Sequence, residues 1–537
     1  MVRAKIILST FMTAAIAATA LSGCAEQTES TAETTVSETT AAAPVTNLPK
    51  TDMSKWRYDE ENDLYYQTGI SYCEAPADEK YEKLACFVPA AYMEATENSD
   101  ETYTCKLNDS AQINGFTASS APIALCVNTP GYHSAEAITE DMVDMSLNFG
   151  RIGEYTAKGI VYVYPGCRGI SEGAPSGVTD LKAAIRYLRY CNDVTPGDAE
   201  KIFTFGMSGG GAQSVLLGAS GDSEIYAPYL EKIGAVQGVS DSVLGSASWC
   251  PVTSLDTANA EYEWMMGCTR TGRSSEEQSM SDKLAQAFAK YINSAGFVDE
   301  NGSELTLTES DEGIYQAGSY YDHVKGVIEG SLNNYLSELS DPKDAQEYVD
   351  KMNKDKSWIS YDKSTNTATV TSIADFAKHC KQAKDLATGF DQPEGQNDLF
   401  GYGDGKGAHF DQILCDVLTE LDSKYAADYQ ADLAKKDALG YTVEQRVNMY
   451  SPLYFLMESR EGHKTANVAK HWRIRSGIEQ DTNSVTTEIN LDLALKACDG
   501  VESVDFETIW GRNHETAERK NGDDVTSFID WVISFGK

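Results

Sequence analysis

Apolar residues arrive along this chain in two alternating rhythms. The runs Ala121 to Val127, Gly159 to Tyr164 and Lys201 to Phe205 are short and almost unbroken in aliphatic and aromatic residues, as strands buried on both faces are. Between the second and third runs, Leu181, Ala184, Ile185 and Leu188 recur at helical spacing. With Thr179 offered as an N-cap, they predict a helix with one apolar face that ends near Cys191. The third run leads straight into the glycine-rich turn Gly206 to Gly211 and a further helical stretch through Leu217. Strands that alternate with helices on this scale predict an α/β fold, a mostly parallel sheet with helices on both faces.

The same rhythm returns at the C-terminal end. Lys470 to Arg475 and Ser503 to Trp510 have strand character, and Val525, Phe528, Ile529 and Val532 share one face of a last helix. Between them and the first half, residues 250–449 read as a mainly helical insertion. In it Ser274 and Glu277 form a capping box, and Leu284, Ala287, Phe288 and Tyr291 make a stripe suited to core packing. The polar, glycine-rich stretch Asp391 to Gly407 reads as loops. Residues 56–249 and 450–537 are thus expected to form the core, with 250–449 a lid that shapes the site and excludes water.

The N-terminal segment follows neither rhythm. A basic start (Arg3, Lys5) and the apolar stretch Ile6 to Leu21 predict a cleaved signal over residues 1–23, ending Leu21-Ser22-Gly23-Cys24. That ending resembles the bacterial lipobox, so Cys24 is expected to carry lipid and to hold the protein on the outer face of a bacterial membrane, its only membrane contact. Residues 24–55 are rich in Thr, Ala and Glu and predict a disordered tether.

Across 537 residues, 41% are hydrophobic, which is ample for a large core and excludes disorder for most of the chain. A formal charge of -38 repels polyanions, so no nucleic-acid partner is expected. The 12 cysteines are widely spaced and include no Cys-x-x-Cys pair, so neither a zinc site nor a dense disulfide framework is indicated. Cys126 and Cys167, in or just after strand-like runs, read as buried free thiols. No metal or cofactor is expected.

The segment that carries chemistry is Gly206-Met207-Ser208-Gly209-Gly210. It has the Gly-x-Ser-x-Gly form of a nucleophile elbow and lies where a strand turns into a helix, the one context in which the form has mechanical meaning. A serine nucleophile needs a base, and the base an orienting acid, in the order serine, acid, histidine. Of seven histidines, His514 fits best, because it lies in a loop after the final strand and before the final helix. His471 falls inside a strand, where a side chain points into a layer. The acid is expected after Lys470 to Arg475, where Asp481 and Glu479 compete, Asp481 favoured for its shorter side chain. Backbone donors for an oxyanion are expected from Gly209 and from Gly131, in the loop after the Ala121 strand.

These residues resemble the bacterial tannases, α/β-hydrolase esterases that cleave gallate esters, and their feruloyl-esterase-like relatives. The resemblance runs from about residue 60 to the C-terminus. It lies in Phe87 to Tyr92, Asp180 to Tyr187, Pro196-Gly197-Asp198, the elbow, Tyr262-Glu263-Trp264, Phe390-Asp391-Gln392, Leu399-Phe400-Gly401 and Val468 to Arg475. It implies a triad of Ser208, Asp481 or Glu479, and His514. Family members carry two aspartates one residue apart at the acid turn, where this chain reads Glu479-Gln480-Asp481. They also grip the galloyl hydroxyls with a lysine and a glutamate from the insertion; the resemblance implies Lys384 for the lysine, whereas the glutamate position here is Gln396. The resulting expectation is a lipid-anchored serine esterase acting on plant-derived or other small phenolic esters, galloyl or feruloyl in type. The alternatives are a serine peptidase of the same fold and a non-catalytic lipoprotein that binds a solute or carbohydrate.

Overall fold

Nine strands build the central sheet of the computed structural model, which describes residues 43–311, 313–381 and 396–537. They are β1 (Arg57–Asp59), β2 (Leu64–Ser71), β3 (Lys83–Pro89), β4 (Ile123–Val127), β5 (Val161–Pro165), β6 (Ile202–Met207), β7 (Gly245–Trp249), β8 (His471–Gly477) and β9 (Ser503–Ile509). Their order across the sheet is β1-β2-β3-β5-β4-β6-β7-β8-β9. β1, β2 and β3 form an antiparallel edge, and the other six strands are mutually parallel. The chain passes from β4 to β5 on one side and then to β6 on the other. This reversal opens a crevice at the carboxyl ends of β4 and β6, where such sheets place their sites.

Alternation along the strands sorts side chains between two apolar layers. Ile123, Leu125 and Ile202 pack into one layer with Val178, Leu181, Ile185 and Leu188 of α1 (Ser176–Tyr190) and Val215 and Leu216 of α2 (Gly209–Ala219). Ala124, Phe203 and Phe205 face the other way. They meet Phe528, Ile529 and Val532 of the C-terminal helix Asp524–Gly536, the face expected from its sequence.

The insertion leaves the sheet after β7 and returns at β8. Its helix α3 (Ser275–Ala295) has the expected capping box: the Glu277 amide donates to Ser274 Oγ (3.2 Å), and the Ser274 amide donates to the Glu277 carboxylate (2.7 Å). The stripe is core packing, with Leu284 and Phe288 fully buried. Helix α4 (Ser319–Ser337) is tied to the sheet by Ser331 Oγ, which donates to the Thr508 carbonyl of β9 (2.7 Å). The Tyr320 hydroxyl of α4 bonds Asn490 Oδ1 (2.6 Å) of α5 (Thr486–Ala497). The insertion also contains two hairpins, pairing Thr308–Ser310 with Gly313–Ala317 and Ile359–Asp362 with Thr367–Val370.

Two boundaries differ from expectation. Helix α1 begins at Ser176, so Thr179 is no N-cap; it lies inside the first turn with its hydroxyl on the Pro175 carbonyl (3.0 Å). Residues 45–55 are not a free tether. The Glu74 carboxylate takes bonds from Thr46 and Asn47, and the hydroxyls of Tyr190 and Tyr187 donate to the carbonyls of Leu48 (3.1 Å) and Pro49 (3.0 Å). The expected signal, Cys24, Lys384 and the motif Phe390-Asp391-Gln392 lie outside the described residues. The 11 described cysteines, Cys126 and Cys167 among them, are unpaired thiols.

Candidate active site

Strand β6 turns into helix α2 in a single residue, Ser208, held at φ 58° and ψ -122°. An L-residue is strained there, and such strain persists only when its surroundings enforce it. The glycines on either side show the enforcement. A Cβ on Gly206 would stand 2.6 Å from the carbonyls of Gly210 and Val127, and one on Gly210 would stand 2.2 Å from the Val127 carbonyl. The Ser208 amide donates to the Trp249 carbonyl (2.9 Å), tying the elbow to β7.

His514 sits in the loop between β9 and the C-terminal helix, and its Nε2 lies 2.8 Å from Ser208 Oγ. Two contacts lock that loop to the turn after β8. A Cβ on Gly477 would lie 2.0 Å from the Asn513 carbonyl, so only glycine permits the approach. The buried Cys250 thiol, just beyond β7, lies between the two segments, donating to the carbonyls of Glu515 (3.3 Å) and Asn513 (3.7 Å) and accepting from the Gly477 amide (3.4 Å). The alternative His471 is inside β8, stacked on Phe535 with ring centres 4.0 Å apart.

The third position departs from expectation. The group on His514 Nδ1 is the amide of Gln480, whose Oε1 lies 2.6 Å away. Gln480 lies between the two carboxylates expected to compete for this place. Its side chain is 2% exposed, whereas Glu479 and Asp481 are both half-buried. Glu479 lines a cavity of about 510 Å³ with Tyr335, Tyr348, His379, Trp510 and Arg512; burial raises its pKa, against a Gly511 amide that bonds its carboxylate. Asp481 lies within the field of the buried Lys381. The group in contact with His514 Nδ1 is thus an amide, where a carboxylate was expected.

Behind Gln480 is a polar cluster that the sequence did not reveal. Gln480 Nε2 donates to Ser476 Oγ (2.8 Å) and to Glu488 Oε1 (2.8 Å). Glu488, on the first turn of α5, is wholly buried and also accepts from Ser476 Oγ (2.8 Å) and Asn483 Nδ2 (3.1 Å). Burial pushes its pKa up to about 7. Lys381 reaches in from the insertion and donates to the carbonyls of Gln480 and Asn483; burial pulls its ammonium down to about 8, against the opposing pull of Glu488 and Asp481. The available signal was a third polar residue between two acids in the turn, which a search restricted to carboxylates passes over.

The loop after β4 closes over the elbow. Gly131 takes a left-handed φ of 59°, and a Cβ on Gly209 would lie 2.5 Å from the Tyr132 nitrogen and 3.2 Å from the Gly131 nitrogen. The loop thus packs its backbone, with the Gly131 nitrogen, against Gly209, the residue after the serine. Gln396 opens the short helix Gln396–Leu399 and is half-buried.

No family model matches the chain, and no curated protein matches it by sequence. Solved structures do. The native tannin acyl hydrolase of Lactobacillus plantarum superposes with a TM-score of 0.69 at 26% identity, covering 88% of this chain and 94% of that one. The tannase of Fusobacterium nucleatum gives 0.68 at 25% identity, covering 88% and 95%. A tannin acyl hydrolase in complex with ethyl gallate gives 0.68 at 26% identity, covering 88% and 94%. Over most of its length the chain resembles the bacterial tannases in structure, and it has an α/β-hydrolase fold in which the elbow serine meets a histidine.

Proposed function

We propose that this protein is an exported, lipid-anchored serine esterase that hydrolyses carboxylic esters of hydroxylated aromatic acids, galloyl or feruloyl in type. The observation that carries the reading is the 2.8 Å contact of His514 Nε2 with Ser208 Oγ on a strained elbow, in a chain that matches tannases over 88% of its length. His514 takes the Ser208 proton as the hydroxyl oxygen attacks the ester carbonyl. The same proton then passes to the departing alcohol, leaving an acyl-serine. Water, deprotonated by His514, releases the aromatic acid and restores the serine. Gln480 Oε1 accepts Nδ1–H, which leaves Nε2 unprotonated to act as the base. The amides of Gly209 and Gly131 serve the oxyanion.

The substrate class is supported by neighbouring tannin acyl hydrolase structures that hold 3,4-dihydroxybenzoate and ethyl gallate. Asp481 and Lys384 are assigned to the ring hydroxyls, and Cys24 to the lipid. The test is a panel of methyl gallate, methyl ferulate, p-nitrophenyl acetate and aminoacyl amides, run on wild type and Ser208→Ala. Serine-dependent turnover with phenolic esters preferred is expected. Preference for the amides, or equal rates in Ser208→Ala, would overturn the reading. Release of a Cys24→Ala variant from the membrane fraction tests the anchor; continued tight association would contradict it.

A further inference from the structure

A neutral amide on His514 Nδ1 leaves a chemical deficit. As His514 takes the serine proton it becomes an imidazolium, and in a triad with an acid a carboxylate at Nδ1 stabilises that charge. Gln480 fixes the ring but brings only a dipole. A carboxylate stands one hydrogen bond further back. Gln480 Nε2 is 2.8 Å from the buried carboxylate of Glu488, so Ser208, His514, Gln480 and Glu488 form an unbroken hydrogen-bonded chain.

We infer that Glu488 is a positioning residue of the active site: it fixes the Gln480 amide with its oxygen towards His514 and supplies negative charge across that amide. The inference rests on the serine–histidine reading above and deepens it. An ionised carboxylate can only accept hydrogen bonds, so the amide nitrogen must face Glu488 and the amide oxygen must face the imidazole. Ser476 supports the same orientation, because its hydroxyl donates to Glu488 and therefore accepts from Gln480 Nε2. A flipped amide would present its NH₂ to Nδ1 and select the tautomer protonated at Nε2. That tautomer cannot take the proton from Ser208.

The charge on Glu488 depends on pH. Burial raises its pKa to about 7, so the carboxylate is ionised above that pH and protonated below it. The groups facing it are Ser476 at the end of β8, Gln480 and Asn483 in the turn, Lys381 from the insertion and Cys250 after β7. Lys381 in turn feels Asp481 and Cys380. The Glu488 contribution to turnover is therefore present at alkaline pH and disappears on acidification through about 7.

The experiment exchanges the two side chains. Wild type, Glu488→Gln, Gln480→Glu and the double exchange are assayed on p-nitrophenyl acetate, an ester with no ring hydroxyls, with folding followed by near-ultraviolet circular dichroism. Glu488→Gln is expected to lower kcat by about 10- to 100-fold at roughly pH 8.5 with KM within about twofold, the wild-type to variant ratio falling towards one below about pH 6. Gln480→Glu sets two carboxylates against each other and is also impaired. The double exchange keeps charge, volume and hydrogen-bond count while moving the carboxylate onto Nδ1, and is expected to return to within about threefold of wild type.

Wild-type kcat in Glu488→Gln at every pH, or a double exchange no better than the worse single variant, would overturn the inference. Should Glu488→Gln fail to fold, the double exchange decides alone, and its own failure to fold would count against the inference, since the two positions would then not be interchangeable. Absence of Ser208-dependent turnover in the wild type would sink the esterase reading. Normal turnover that is indifferent to Glu488 would sink only this inference.

Discussion

The elbow at Ser208 and the turn at residues 476–484 serve one histidine from opposite sides, and they obey different constraints. At the elbow the glycines and the serine are forced: Gly206 and Gly210 have backbone within 2.6 Å of where a Cβ would lie, and Ser208 is held at positive φ. At the turn, an amide stands where an acid was expected, and the carboxylate has moved one hydrogen bond away to α5. In the proposed reaction the nucleophile and base touch the reacting carbon and the transferred proton, which fixes them in space. The orienting group touches only the far nitrogen of the ring. It must present an acceptor and a favourable field, and both can be delivered through an intermediary.

That difference orders the expected losses. Ser208→Ala should reduce kcat by about 10⁴-fold or more while the circular dichroism spectrum is unchanged, because the hydroxyl is the nucleophile on an already formed turn. Gly210→Ala breaks the constrained side by steric means. A Cβ 2.2 Å from the Val127 carbonyl must displace the elbow, so kcat should fall by about 10²-fold or more and the thermal transition should drop. On the tolerant side, Gln480→Leu removes the Nδ1 acceptor and should cost about 10²- to 10³-fold in kcat. Glu479→Gln and Asp481→Asn, by contrast, should stay within about threefold on p-nitrophenyl acetate. Asp481→Asn should instead raise KM for esters with ring hydroxyls, and steady-state kinetics on both substrates separates the effects. A modest loss is expected for Cys250→Ala, which removes a thiol between the His514 loop and the Gly477 turn; kcat should fall by about two- to fivefold as the base loosens.

The same contrast explains what the sequence revealed. Strands β4, β5 and β6 were visible because strands buried on both faces must be nearly continuous in apolar residues, and the elbow because its glycines have no substitutes. His514 was found by its place between the last strand and the last helix, a matter of chain order. Gln480 was not, because nothing in a neutral side chain beside two carboxylates marks it as the inward one; that depends on how the turn packs against Gly477 and α5. Glu488 was hidden for a related reason. An acid on the first turn of a helix ordinarily reads as a solvated residue favoured by the helix dipole, and here only the tertiary structure buries it. Residues 45–55 show the limit of composition. Their lack of aromatic residues suggested a tether, but their partners, Glu74, Tyr187 and Tyr190, come from distant parts of the chain.

The most direct test of the central claim, that Ser208 is a nucleophile activated by a histidine held by an amide, is the rate at which a fluorophosphonate probe labels the protein, with the modified peptide mapped by mass spectrometry. This rate reads nucleophile activation without reference to any chosen ester. Wild type should be labelled at Ser208 alone, Glu479→Gln and Asp481→Asn should label at close to the wild-type rate, and Gln480→Leu should be slower by about 10²-fold. Labelling at another residue, or a Gln480→Leu rate equal to wild type while Asp481→Asn or Glu479→Gln is slow, would contradict the account.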